Sequence, residues 1–110
     1  MLTGDTVGRL DTRLVLEGAN IPATPAAEAA LHARGVRCLA DFVANAGGVI
    51  CAAVDYASGD ETAAVATIET RIQADVAAVL DAAADHPPRA AAVALAEARV
   101  AEAMAYRRFR

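Results

Sequence analysis

Arg13-Leu-Val-Leu-Glu-Gly-Ala-Asn20, Ile21-Pro-Ala-Thr-Pro-Ala-Ala-Glu-Ala-Ala30 and Leu31-His-Ala-Arg-Gly-Val-Arg-Cys-Leu-Ala40 run on without interruption, and this stretch decides the fold. Residues 13–16 form a short apolar run closed by Glu17, Gly18, Ala19 and Asn20, the pattern of a buried parallel strand that ends in a loop. Thr24 is a good helix N-cap and Pro25 suits the first helical position, while Gly35 suits the residue just past the end of the helix. Val36–Ala40 is strand-like again. Strand, helix and strand within about 30 residues make a right-handed βαβ crossover, so two neighbouring parallel strands are expected.

On the C-terminal side, Asn45 and the pair Gly47-Gly48 precede Val49–Ala57, which is apolar nearly all round and predicts a buried helix with Asn45 as its N-cap. Ser58-Gly59 ends that helix. Asp60 can cap a third, whose Val65, Ile68, Ile72, Val76 and Val79 recur at spacings of three and four and which should run to about Ala84. His86-Pro87-Pro88 forces a break, and a last helix from about Pro88 to Arg107 should turn Val93, Ala96, Val100 and Met104 inward. Met1–Asp11 reads as a loop or frayed helix end without a strand. The expected fold is a helix-rich α/β segment of two parallel strands and about four helices, resembling a truncated sheet because doubly covered parallel sheets usually hold about five or more strands.

Composition narrows the function. A chain of 110 residues supplies one modest core, and 56% hydrophobic residues with only 4% aromatics favours closely packed, alanine-rich helices. A net charge of −4 without a basic stripe argues against nucleic-acid binding. The one basic cluster, Arg107, Arg108 and Arg110, suits a helix C-terminus. No apolar run reaches the roughly 18 to 20 residues of a membrane span, and the N-terminus lacks the apolar core of a signal peptide, which predicts a soluble cytoplasmic protein. Cys38 and Cys51 lie outside any CxxC or zinc spacing and read as small buried apolar residues. His32 and His86 have no partners at metal-ligand spacing and read as surface histidines, so no metal site is expected.

Three stretches, Leu14-Val-Leu-Glu-Gly-Ala-Asn20, Asp41-Phe-Val-Ala-Asn-Ala-Gly-Gly-Val-Ile50 and Ala94-Leu-Ala-Glu-Ala-Arg-Val-Ala-Glu-Ala-Met104, together resemble the glutamate/leucine/phenylalanine/valine dehydrogenase family, in matching order and spacing. The most specific element is Asn45-Ala-Gly-Gly-Val49. The resemblance implies that residues 1–110 are the C-terminal segment of a Rossmann-like NAD(P)-binding domain. Residues 12–57 would be its βαβα portion and 60–108 a C-terminal helical pair. It implies NAD or NADP as cofactor, an amino acid as substrate, both engaged together with parts of the enzyme outside these residues, and a homo-oligomeric parent. The sequence contains no lysine and no G-x-G-x-x-G, so the family's catalytic lysines and phosphate turn are not among these residues, and no catalytic residue is expected here.

The same resemblance places cofactor-binding residues at Gly18, Asn20, Asn45, Gly47 and Gly48. The counterpart of Asn20 lies beside the nicotinamide ribose, and that of Asn45 bonds the ribose or the substrate carboxylate. Asn20 could instead serve only as a turn former, and Gly47-Gly48 could mark only a tight helix-strand contact. Glutamate-specific members carry a serine three residues after Gly-Gly-Val that reaches the substrate side chain, and here that position is Ala52. Ala52 is thus a substrate-binding position that cannot donate a hydrogen bond. The implied activity is reversible oxidative deamination of an L-amino acid to a 2-oxo acid and ammonia. Glutamate is favoured, with branched-chain or phenylalanine dehydrogenase, or a noncatalytic helical interaction module on the same scaffold, as alternatives.

Overall fold

A computed structural model describes residues 1–107, and the basic cluster's Arg108 and Arg110 lie outside them. The crossover is present. Strand β1 (Leu14–Leu16) and strand β2 (Arg37–Leu39) pair in parallel, Leu14 with Arg37, Val15 with Cys38 and Leu16 with Leu39. Between them runs a helix at Pro25–Ala33. The Thr24 side chain accepts from the Ala27 amide at 3.2 Å, and Gly35, at φ +73°, lets the Val36 amide reach back to the Leu31 carbonyl at 2.9 Å. That closure is the Schellman arrangement, which needs the left-handed residue that glycine supplies without strain.

The described residues hold six helices rather than about four: α1 (Gly4–Val7), α2 (Pro25–Ala33), α3 (Asp41–Ala44), α4 (Gly47–Tyr56), α5 (Glu61–Ala83) and α6 (Pro88–Arg107). The extra two are single turns. The opening residues also carry strand character after all: Leu2 bridges Ala23 in parallel, its amide donating to the Pro22 carbonyl and its carbonyl accepting from the Thr24 amide. Pro22 gives no amide of its own but leaves a free carbonyl in extended chain, and Leu2 uses it.

The two sheet faces have different fates, because successive strand side chains point to opposite sides. Val15 and Cys38 turn to one face and join Val7, Ala27, Leu31 and Val36 in a closed core under α1 and α2. Leu14, Leu16 and Leu39 turn to the other. There Leu39 joins Val43, Val79 and Ala92, but Leu14 and Leu16 stay 46% and 60% exposed. They line an apolar groove of about 740 Å³ whose opposite wall is Ile72, Val76 and Leu80 of α5.

Two expectations for the helices fail, the first because covering elements are in short supply. Helix α4 contains no buried residue, and Val49 is 76% exposed. Within these residues α5 is its main neighbour, and one helix can cover only one side of a helix that is apolar all round. Helix α6 is rotated from the expected phase, since Ala92 and Leu95 meet the core while Val93, Val100 and Met104 are exposed. Arg89, one turn earlier, is drawn into a carboxylate cluster and fixes that phase. Cys38 is buried as expected, but Cys51 is exposed because it rides on α4. His86 is exposed and His32 half-buried.

The long α5 begins at Asp60, which accepts from the Ala63 amide at 2.8 Å. A Cβ on Gly59 in the preceding turn would crowd Val54 Cγ1 and the Val54 carbonyl, so a larger residue there would force Val54 to shift. A radius of gyration of 16.0 Å exceeds the about 13 Å of a compact chain this size, which reflects the projecting α5–α6 pair. Among the described residues no helix is long and apolar enough to cross a membrane.

Candidate functional site

Both strands end toward the same side, β1 in a loop and β2 in a single helical turn. After β1 come Glu17, Gly18, Ala19 and Asn20, and after β2 comes α3 with Asn45 as its C-cap. Asn45 is therefore not the N-cap of α4; Ala46 holds that place without a side-chain bond. Freed from capping, the Asn45 side chain donates from Nδ2 to Asn20 Oδ1 at 2.7 Å. The structure thus joins two of the residues singled out from sequence across 25 positions, beyond the carboxyl ends of parallel strands, where open α/β sheets place ligands.

Gly47 and Gly48 form the first turn of α4 next to this pair. A Cβ on Gly47 would meet Ile68 Cγ2 at an ordinary 3.6 Å, while one on Gly48 would meet nothing within 4 Å. Neither has the positive φ that demands glycine. The tight helix-strand contact considered from sequence is thus not what keeps Gly48 small. Ala52 sits one turn further on the same face as Gly48, exposed. Gly18 lies apart from these residues, on the rim of the apolar groove. That groove touches none of Asn20, Asn45, Gly47, Gly48 and Ala52; it is the uncovered sheet face.

Beneath the asparagines lies a charge cluster that the sequence reading missed. Glu17, only 2% exposed, accepts from Arg89 Nη2 at 2.8 Å, the Asp41 amide at 3.0 Å and the Cys38 thiol at 3.3 Å. Three donors on one carboxylate offset the cost of burying it. Arg89 also donates from Nη2 to Asp41 Oδ1 at 3.2 Å and from Nε to both oxygens of Glu28 at 2.7 and 2.8 Å. Its guanidinium lies 5.6 Å from the Phe42 ring centroid. Asp41 completes the network by accepting from the Ile21 amide at 2.8 Å.

Two of these carboxylates, Glu28 and Asp41, are shifted in opposite directions. Burial pushes Glu28 above its usual range of about 4.5, only partly offset by Arg89. Asp41 is held below 3.8, chiefly by the Ile21 amide and further by Arg89. Burial would lower Arg89, but its pairs with Glu28, Asp41 and Glu17 outweigh that and raise it. Burial, with Glu17 beside it, pushes the Cys38 thiol up to about 12. Ile21 sits at φ +48°, a left-handed conformation that costs a β-branched residue about 1–3 kcal/mol. Its side chain is 72% exposed, so burial does not repay the strain; the bond to Asp41 holds it.

A signal for the cluster was present in the sequence. Arg89 stands in the first turn of α6, where the helix dipole disfavours a cation, and acidic residues follow both apolar strand runs. Among the described residues no group of histidines, cysteines or carboxylates is arranged to hold a metal.

An asparagine pair at the strand ends, with a glycine-opened helix beside it, belongs to a segment of an α/β domain. The sequence pattern of the glutamate/leucine/phenylalanine/valine dehydrogenase family matches residues 2–108, and the chain belongs to that family. Its relatives are glutamate dehydrogenases. The NADP(+)-dependent glutamate dehydrogenase of Pyrobaculum calidifontis is 52% identical over 52 residues, 47% of this chain and 12% of that enzyme. The glutamate dehydrogenase of Aeropyrum pernix is 41% identical over 56 residues, 51% of this chain and 13% of that enzyme. The crystal structure of glutamate dehydrogenase from Peptoniphilus asaccharolyticus superimposes with a TM-score of 0.83 at 24% identity, over 100% of this chain and 30% of that one. The fold is thus that of part of a glutamate dehydrogenase, and the chain spans under a third of the solved relative.

Proposed function

We propose that residues 1–110 are the C-terminal segment of the Rossmann-like domain of an NAD(P)-dependent amino-acid dehydrogenase, with 12–57 as its βαβα portion and 60–108 as its closing helical pair. The intact enzyme would oxidise an L-amino acid reversibly to a 2-oxo acid and ammonia. The observation that carries this reading is the Asn45–Asn20 hydrogen bond at 2.7 Å beside the open space over Gly48. A paired amide offers both donors and acceptors to a ribose or a carboxylate, and the bare first turn of α4 lets a flat ring approach the backbone.

The nicotinamide, when bound, supplies the hydride acceptor. Asn20, Asn45, Gly47 and Gly48 would fit it as walls: the asparagines orient the ribose or substrate carboxylate and the glycines seat the ring, while Gly18, on the groove rim apart from them, would serve only the loop after β1. Their contribution is positioning, worth as much as correct alignment of two reactants is worth. Proton transfer falls to residues outside this lysine-free chain, which is inactive alone.

Glutamate is the favoured substrate, supported by relatives that are glutamate dehydrogenases. Ala52 favours a second reading, an apolar amino acid such as leucine or phenylalanine, because an alanine leaves a side-chain carboxylate without a donor. The name of the Pyrobaculum calidifontis relative supports NADP. The open apolar groove supports a homo-oligomeric or multi-segment parent.

The test is nicotinamide reduction by the full-length enzyme carrying this chain, with NAD⁺ and NADP⁺ against glutamate, leucine and phenylalanine. Turnover with one of these, and none by residues 1–110 alone, is expected. No oxidation of any amino acid by the full-length enzyme, or turnover by the isolated chain, would overturn the reading.

A further inference from the structure

The Arg89 side chain is 32% exposed, but two of the three carboxylates it joins, Glu17 and Asp41, each also accept from a backbone amide of the segments that carry the asparagines. Glu17 Oε2, which receives Arg89, also receives the amide of Asp41, the first residue of α3. Asp41 Oδ1 receives Arg89 while Oδ2 receives the amide of Ile21, the residue after Asn20. The carbonyl of Asp41 receives the amide of Asn45 at 2.8 Å. From the guanidinium, two routes therefore lead to the two asparagines: one through Asp41 and strained Ile21 to Asn20, the other through Glu17 and α3 to Asn45.

We propose that Arg89 is a positioning residue whose guanidinium, by joining Glu17 to Asp41, sets the geometry of the Asn20–Asn45 pair. This rests on the reading of that pair as cleft residues. The physical reason is charge balance. Glu17 and Asp41 are both drawn onto the same Nη2, and without it two buried carboxylates would repel each other. They could separate only by moving the two backbone amides they hold. Ile21 would then lose the bond that keeps it left-handed and relax toward the extended conformation favoured before Pro22, swinging Asn20 away from Asn45. The third attachment, through Nε to Glu28 of α2, fixes the plane of the fork. A lysine cannot reproduce it, since a single ammonium does not present donors along two edges.

The first arm of the test is nitrogen-15 NMR of the 110-residue chain and its Arg89→Lys variant, reading the Ile21 amide and the Asn45 side-chain amide. Both signals should be displaced in the variant, with Asn45 amide exchange at least about tenfold faster and helical circular dichroism retained. Both signals unmoved in a folded variant would overturn the proposal. If Arg89→Lys does not fold, Asp41→Asn, which keeps the size of the side chain and the Glu17–Arg89 pair, is read at the Asn45 side-chain amide alone, because Asp41 itself bonds the Ile21 amide: a displaced Asn45 signal supports the coupling and an unmoved one overturns it.

The second arm is a cycle in the full-length enzyme. Arg89→Lys and Asn45→Ala should each lower kcat/KM by about tenfold or more, and the double variant should be no worse than Asn45→Ala. Losses that multiply in full would overturn action through Asn45. Displaced NMR signals with unchanged kinetics in Asn45→Ala would instead remove the cleft reading and leave the coupling of Arg89 to the pair in place.

Discussion

Replacing Gly48 with alanine should make the protein more stable and the enzyme worse. Gly48 is the second residue of α4, its φ is not in the left-handed range, and a Cβ built there meets no atom within 4 Å. Nothing in the chain opposes the substitution, and alanine gains about 0.5–1 kcal/mol over glycine in a helix. Unfolding entropy of about 2.1 cal/mol/K per residue converts this to a Tm rise of about 2–4 °C for 110 residues. If the open space is where a nicotinamide ring rests, the added methyl occupies it, and KM for the dinucleotide should rise by about tenfold or more. Gly47→Ala, whose Cβ would meet Ile68 at an ordinary 3.6 Å, should raise Tm by a similar amount for the same reason. The assays are thermal unfolding of the chain and steady-state kinetics of the full-length enzyme. A fall in Tm would show that the space is filled, and a higher Tm with unaltered KM would show that no ligand comes near Gly48.

Other consequences are open to direct measurement. At pH 8 a thiol at about 12 is thiolate in only about one molecule in ten thousand, so Cys38 should react with iodoacetamide about a thousandfold more slowly in the folded chain than in urea, while exposed Cys51 labels readily; equal labelling of both in the folded chain would contradict the buried pocket. Asp41 is held below 3.8, so its contribution is present above that pH and is lost as pH falls through its lowered value. Glu28 is raised above 4.5, so its contribution is present below that pH and is lost as pH rises through its raised value. Urea unfolding across pH should show both slopes, and Glu28→Gln should abolish only the upper one; an unchanged upper slope would refute the assignment to Glu28. The uncovered Leu14 and Leu16 face and the unpaired strand edges should make the chain self-associate at micromolar concentration, and a clean monomer by light scattering would refute that.

Local chemistry made much of this legible in the sequence. Thr24-Pro25 and Gly35 set the bounds of α2, Asp60 the start of α5 and His86-Pro87-Pro88 the break before α6, because caps and prolines act through their own backbone neighbours. What failed depended on partners distant in the chain. Val49–Ala57 reads as buried from composition, yet burial requires covering elements that these residues do not supply. The inward face of α6 cannot be phased from Val93 and Val100 alone, since Ala92 and Leu95 are equally periodic and the Arg89 ion pairs decide between them. Asn20 and Asn45 were visible as strand-end residues, but their bond to each other and the Glu17–Asp41–Arg89 support beneath them join positions 17 to 89, which no local pattern reports.

Asn45→Ala in the full-length enzyme tests the central claim most directly. The variant removes one exposed side-chain hydrogen bond, worth about 0.5–1 kcal/mol to stability, so Tm should fall by less than about 4 °C. If Asn45 and Asn20 orient ribose or substrate, kcat/KM should fall at least about tenfold, a loss of about 1.4 kcal/mol in transition-state binding. Such a loss of activity in a protein that melts nearly as before is the predicted result, and wild-type kinetics in the folded variant would contradict the assignment of the cleft.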